Sequence, residues 1–329
     1  RPNRRRSRAP NSRGPLRVQK MPFVESDGIR FHYVLTGSQG PLVAFQHGLG
    51  GDVSQPLGIL NSAALRVLSF DCRGHGLTEP LGPPERLAFG TFADDLRAIL
   101  DAVRADGVIV GGISMGAGVA LNFALRNPGR VRALILSRPA WLDAPCPANL
   151  QILRTLSAWL RETGPERTRE LLLADPEFHR IQAVSRDNAA SILRQLERPN
   201  LEGTIATLAR LPADTPCPEP EAWRRIAVPT LVLVNELDAL HPVEYGRRIA
   251  RGIPGARLVE IAPKEKDPSL HAREARKSIE AFVAEVDRGK DDRTTGPQGR
   301  QAILAGVNQP PPSQMPPTQS ESAASINLP

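Results

Sequence analysis

The stretch VIVGGISMGAGVALNFAL, residues 108–125, passes from β-branched residues into alternating small ones, with one serine between two glycines. A short continuous apolar run that leads into small, helix-forming residues reads as a buried strand turning straight into a helix. Gly112-Ile113-Ser114-Met115-Gly116 is a G-x-S-x-G match in that strand-to-helix context, which the motif requires. A serine on so tight a turn holds a strained backbone, and its neighbours two residues away must be very small. Gly112 and Gly116 supply the clearance, and Ala117 and Gly118 are expected to let the helix approach the sheet. No Lys follows as in a phosphate-binding loop, and the spacing is not G-x-G-x-x-G.

From Met21 onward, on both sides of this turn, the pattern is regular. FVES, RFHYVLTG and PLVAFQHG are short runs rich in β-branched and aromatic residues, separated by Asp-Gly and Ser-Gln-Gly-Pro turns. RVLSFD (66–71), GVIVGGIS (107–114), VRALILS (131–137), PTLVLVNE (229–236) and ARLVEIA (256–262) are apolar without polar alternation, as strands buried on both faces are. Helical patterns lie between them, among them TFADDLRAILDAV, PVEYGRRIARGI and SLHAREARKSIEAFVAEV. The expected fold is α/β: a mainly parallel, doubly wound, eight-stranded sheet with helices on both faces. Residues 141–222 break the alternation with helical segments only, and are expected to form a helical cap over the carboxyl edge of the sheet. The core is then 21–140 and 223–286.

The formal charge of +7 does not describe that body. Residues 1–20 carry eight of the 42 basic residues and no acid, leaving 34 basic against 35 acidic residues. They read as a basic, solvated arm, and the near-neutral body gives no reason to expect a nucleic-acid partner. Residues 287–329 are rich in Pro, Gln, Ser and Gly and read as a disordered tail. No apolar run reaches the roughly eighteen residues of a membrane span. Three scattered cysteines, Cys72, Cys146 and Cys217, form no C-x-x-C pair, so the expectation is a reducing cytoplasm without structural zinc.

A serine hydroxyl needs a base to take its proton and a third group to orient that base. Downstream, Asp238 lies just past PTLVLVNE, and His271 follows ARLVEIA by the loop PKEKDPSL, so acid and base sit at the same sheet edge as Ser114. Glu236, on the other side of the strand end, and Asp143, after the preceding strand, are the alternative acids. Among the six histidines, His32 belongs to an early strand and His179 to the cap, while His241 lies only three residues from Asp238. That separation reads as too short for His241 to bridge the acid to Ser114. The oxyanion needs aimed donors. The backbone N–H of Met115 is one, and Leu49 N–H, in the glycine-rich QHGLGGD at 46–52, is the second.

From about residue 22 to 286 the chain resembles the α/β-hydrolase fold superfamily. HGLGGD is similar to its oxyanion loop, FDCRGHGLTEP to its strand-four signature, GISMGAG to its nucleophile elbow and VPTLVLVNELDALHP to its acid strand. The resemblance implies Ser114, Asp238 and His271 as the triad and Leu49 and Met115 as oxyanion donors. RGHG, SMG and IPGARLVEI are nearest in flavour to the esterase, enol-lactonase and cofactor-free haloperoxidase group. His271 departs from the pattern, since relatives often place this histidine directly after a small residue. Asp71, Arg73 and His75 have mainly loop-holding roles in relatives, and serine at the elbow argues against haloalkane dehalogenases.

The expected activity is hydrolysis of a carboxylic ester or lactone of a small, mainly apolar substrate through an acyl-enzyme on Ser114, without cofactor or metal. A carbon–carbon bond hydrolase, an acyltransferase and a non-catalytic ligand-binding protein are the alternatives. Trp159, Leu160 and Phe178 of the cap are expected to pack rather than to line the pocket.

Overall fold

The computed structural model describes residues 22–295, with side chains described through residue 289; the basic arm and the chain beyond Thr295 lie outside the described residues. Two units divide at Val286 and Asp287, and the first holds the sheet and the site.

Eight strands form one sheet: β1 (Phe23–Ser26), β2 (Ile29–Thr36), β3 (Leu42–Gln46), β4 (Arg66–Phe70), β5 (Val108–Ile113), β6 (Val131–Ser137), β7 (Thr230–Val234) and β8 (Arg257–Glu260). Their order is β1-β2-β4-β3-β5-β6-β7-β8. The β1–β2 and β2–β4 pairs are antiparallel, and every pair from β4–β3 to β7–β8 is parallel. The fold is the expected α/β type. β5 is buried at every position and lies between β3 and β6, so its carboxyl end is central.

Helices α1 (Ser54–Ile59), α2 (Phe89–Ala102), α3 (Met115–Arg126), α4 (Gln151–Ala174), α5 (Pro176–Val184), α6 (Arg186–Arg194), α7 (Leu201–Arg210), α8 (Val243–Gly252) and α9 (Pro268–Thr295) complete the chain. Two apolar clusters flank the sheet. One contains Phe70, Val110 and Leu134 with the buried faces of α2 and α3, and the other Phe45, Ile109 and Ile135 with Ile279 and Phe282 of α9. Alternate residues of β5 thus feed opposite clusters, as a strand covered on both faces must. Burying each such large side chain stabilises by about 1.5–3 kcal/mol.

Between β6 and β7 the regular elements are all helical, α4 to α7 with short 3₁₀ turns. α4 breaks at Gly164 (φ 75°, ψ 174°), directly before Pro165, which cannot donate to the preceding turn. α9 runs on to Thr295, so 287–295 is helical where a disordered tail was expected from residue 287. The segment itself, DRGKDDRTT, has no apolar residue to continue the period of Phe282, Val283 and Val286. Among the described residues no helix is long and apolar enough to cross a membrane.

Candidate active site

Ser114 joins β5 to α3 at φ 55° and ψ −111°, an unfavourable conformation for a residue with a side chain. The flanking glycines are a matter of space. A Cβ on Gly112 would lie 2.3 Å from the Gly116 carbonyl carbon, and one on Gly116 would lie 2.4 Å from the Gln46 carbonyl oxygen. Both obstacles are backbone, which cannot swing aside. Gly118 differs from expectation: a Cβ there would meet the Phe89 ring at 2.4 Å, so this glycine lets α3 approach α2 rather than the sheet.

Ser114 Oγ lies 2.9 Å from His241 Nε2, and His241 Nδ1 lies 2.8 Å from Asp238 Oδ1. His271, the histidine expected at Ser114, sits in the first turn of α9, where its Nδ1 is 2.9 Å from the Ala262 carbonyl. Among the described residues no hydrogen bond links it to Ser114 or Asp238. A separation of three positions, with Ala239 and Leu240 between, therefore suffices for His241 to reach from Asp238 to Ser114. Leu237 takes φ 53°, which turns the chain sharply after β7. Asp238 then folds over its own loop, and its Oδ1 accepts from both the His241 backbone N–H, at 3.2 Å, and the imidazole. Such a local carboxylate turn is a general property of aspartate. The signal was present as Asp-x-x-His at the end of a buried strand.

Sequence reasoning also missed Arg138. It follows β6 at φ 50°, with its backbone N–H bonded to the Leu233 carbonyl at 2.8 Å. Its Nε and Nη2 donate to Asp238 Oδ2 at 2.8 and 2.5 Å, so both carboxylate oxygens are engaged. Burial alone would raise the Asp238 pKa, but Arg138 and His241 outweigh it and hold the carboxyl well below its usual range. An ionised Asp238 only accepts, which puts the His241 proton on Nδ1 and leaves Nε2 to accept from Ser114. Burial lowers the His241 pKa; Asp238 opposes that shift, and Arg138 and Lys264 add to it. Of the alternative acids, Asp143 pairs with Arg248 at 2.8 Å and Glu236 is exposed.

The loop after β3 is held on several sides. Gly48 N–H donates to Gln55 Oε1 at 2.7 Å, Gly50 N–H to His75 Nε2 at 3.1 Å and Val53 N–H to Asp71 Oδ1 at 2.8 Å. Leu49 lies between the first two, beside Ser114 in the cavity wall. Among the described residues neither Leu49 N–H nor Met115 N–H has a hydrogen-bond partner.

His47 and His75 each accept a backbone N–H on Nε2, from Cys72 and Gly50, and donate Nδ1–H to the Gly48 and Arg73 carbonyls. Only neutral rings satisfy that pattern, and burial pushes both pKa values down, His75 the further. The unfolded rings take up protons near pH ~6.5 while the folded ones do not, so stability is lost as pH falls below that point. The expected slope is about 1.4 kcal/mol per pH unit for each ring. Denaturant titrations at pH 7.5 and 5.5 measure it, and His75→Gln should flatten the dependence; an unaltered slope refutes the assignment.

A cavity of about 100 Å³ opens at Ser114. Trp141, Leu150, Leu153, Ile192, Leu208 and Leu240 give its apolar wall. Arg138, Asp187, Arg194 and Lys264 also line it, so it is more charged than the expected mainly apolar substrate calls for. Lys264 Nζ pairs with Asp187 at 2.9 Å, joining the loop after β8 to α6. Trp159, Leu160 and Phe178 are not in the wall; Leu160 and Phe178 are buried in the core. Among the described residues no group of three or more His, Cys, Asp or Glu is placed to hold a metal ion.

The chain is 28% identical over 245 residues to a 2-hydroxy-6-oxononadienedioate/2-hydroxy-6-oxononatrienedioate hydrolase of Cupriavidus pinatubonensis, a match spanning 70% of this chain and 81% of that protein. The crystal structure of an enol-lactonase from Burkholderia xenovorans superposes with a TM-score of 0.64 at 23% identity, covering 80% of this chain and all of that one. A thermophilic esterase from Thermogutta terrifontis gives 0.61 at 24%, covering 80% of this chain and 97% of that one. At those identities the two structures speak for the fold alone. The family model described as the alpha/beta hydrolase fold matches residues 41–267, well over half of the chain, and with the elbow at Ser114 on the central strand, this chain belongs to the α/β-hydrolase fold family.

Proposed function

We propose that this protein is a serine hydrolase that cleaves the carboxylic ester or lactone of a small substrate, with Ser114 as nucleophile, His241 as base and Asp238 as the group orienting that base. The observation carrying this reading is the continuous chain from Ser114 Oγ through both nitrogens of His241 to Asp238, at 2.9 and 2.8 Å. Family membership and the hydrolase names of relatives support the reaction class.

Ser114 Oγ attacks the carbonyl carbon as its proton passes to His241 Nε2, and the carbonyl oxygen takes the displaced electron pair. The N–H groups of Leu49 and Met115 are the donors for that oxyanion, each typically worth about 3 kcal/mol of transition-state stabilisation. His241 then gives its proton to the leaving oxygen, producing the acyl-enzyme. Water attacks next and gives its proton to His241; collapse of the adduct returns it to Ser114 and frees the acid. Because Arg194 and Lys264 stand in the cavity wall, the substrate is expected to carry a polar end rather than to be wholly apolar.

A fluorophosphonate probe tests the reading directly. Wild-type protein should label stoichiometrically and Ser114→Ala should not. Folded wild-type protein that stays unlabelled would sink the hydrolase assignment.

A further inference from the structure

Arg138 is an arginine whose side chain is only 10% exposed, set at the carboxyl end of a core strand in a positive-φ conformation. Nothing in the sheet requires it there. Its backbone is fixed to β7, and two of its nitrogens converge on Asp238 Oδ2. The same Nη2 lies 3.1 Å from His241 Nδ1. Since that ring nitrogen donates its proton to Asp238, the contact is no hydrogen bond; it sets a cation beside the imidazole.

We propose that Arg138 is a positioning residue for the Ser114–His241–Asp238 chain, its fork fixing the carboxylate in a three-residue turn and its charge holding His241 unprotonated, so that activity extends to lower pH. The inference rests on reading His241 as the base.

The geometry supplies both halves. A carboxylate held only by its own loop can rotate about the Cα–Cβ and Cβ–Cγ bonds, whereas a planar fork on the second oxygen sets both torsions. An acid–base pair without the arginine would carry one uncompensated negative charge beside the imidazole, favouring imidazolium. With Arg138 present that charge is largely cancelled. Ser114 of the elbow bonds His241, and the other charged groups that line the cavity with it are Lys264 from the loop after β8, Asp187 of α6 paired to Lys264, and Arg194 at the end of α6. Lys264 and Asp187 offset each other, and Arg194 is exposed, which leaves Arg138 as the close, buried cation. His271, on the first turn of α9, also feels Arg138, Lys264 and Asp238 and has its own pKa lowered, with burial the main cause.

The test reads His241 itself. In a Ser114→Ala background, its ring titration is followed by ¹⁵N NMR with Arg138 present and as Arg138→Gln. The midpoint should rise by about one unit in Arg138→Gln, a tenfold change in the proton equilibrium. An unmoved midpoint overturns the proposal. This measurement needs no turnover, so it fails or holds separately from the hydrolase reading, which fails on absent fluorophosphonate labelling.

Kinetics on a short-chain ester test the positioning half. Arg138→Lys keeps the charge without the fork, so the acid limb of kcat/KM should stay near its wild-type position while plateau kcat falls at least several-fold with KM little changed. Full plateau kcat in Arg138→Lys refutes the positioning role, and it decides the matter even if Arg138→Gln does not fold.

Discussion

His241→Ala should lower kcat for ester hydrolysis by about 10⁴-fold or more, while His271→Ala stays within a few-fold of wild type. Loss of the base leaves a serine whose hydroxyl is essentially un-ionised at neutral pH, and only binding and the oxyanion donors remain to accelerate the reaction. His271 has no such consequence, because its ring serves the Ala262 carbonyl and not the serine. Its removal deletes one buried hydrogen bond and some packing, an expected stability cost of about 1–3 kcal/mol. Both variants lose buried side-chain contacts, so it is turnover that separates them: His241→Ala loses it and His271→Ala keeps it. Steady-state kinetics with matched thermal melts read both effects. Retained turnover in His241→Ala together with its loss in a folded His271→Ala would mean that the start of α9 rearranges to bring His271 to Ser114.

The contrast between these two histidines also shows which parts of the site were legible in the sequence. The elbow was, because everything it needs is local: a β-branched strand, glycines two residues either side of Ser114, and a helix directly after. Asp238 was legible for a similar reason, as an acid at the tip of a buried strand. Which histidine stands beside Ser114 was not, since two loops at the same sheet edge each offered one and composition does not say which loop bends toward the serine. That depends on φ 53° at Leu237 and on the carboxylate turn it permits, neither announced by a leucine. Arg138 was invisible for a different reason. An arginine one residue past a strand ordinarily points to water, and only the position of Asp238 opposite it makes burial tolerable. Gly118 was read correctly as a contact point but against the wrong neighbour, because the sheet and Phe89 both lie close to α3.

Asp238→Asn should lower kcat by about 10⁴-fold while leaving Ser114 and His241 in place, and the cause lies in which atoms Arg138 leaves available. The guanidinium has only donors, so it draws the oxygen of the substituted side-chain amide toward itself and turns the NH₂ group to His241 Nδ1. Nδ1 must then accept, which moves the imidazole proton to Nε2 and points it at Ser114 Oγ. A base already protonated on the nitrogen that faces the nucleophile cannot take its proton. The same change strips Arg138 of its counter-ion at a site where both partners are largely buried, an expected cost of about 3–5 kcal/mol. Pairing Asp238→Asn with Arg138→Met should recover much of that stability, because the unpaired buried charge is gone, and should recover none of the lost kcat unless the amide then flips. Unfolding curves and kcat for the single and double variants decide between these outcomes. An Asp238→Asn protein within tenfold of wild-type kcat would show that the carboxylate does not set the tautomer of His241.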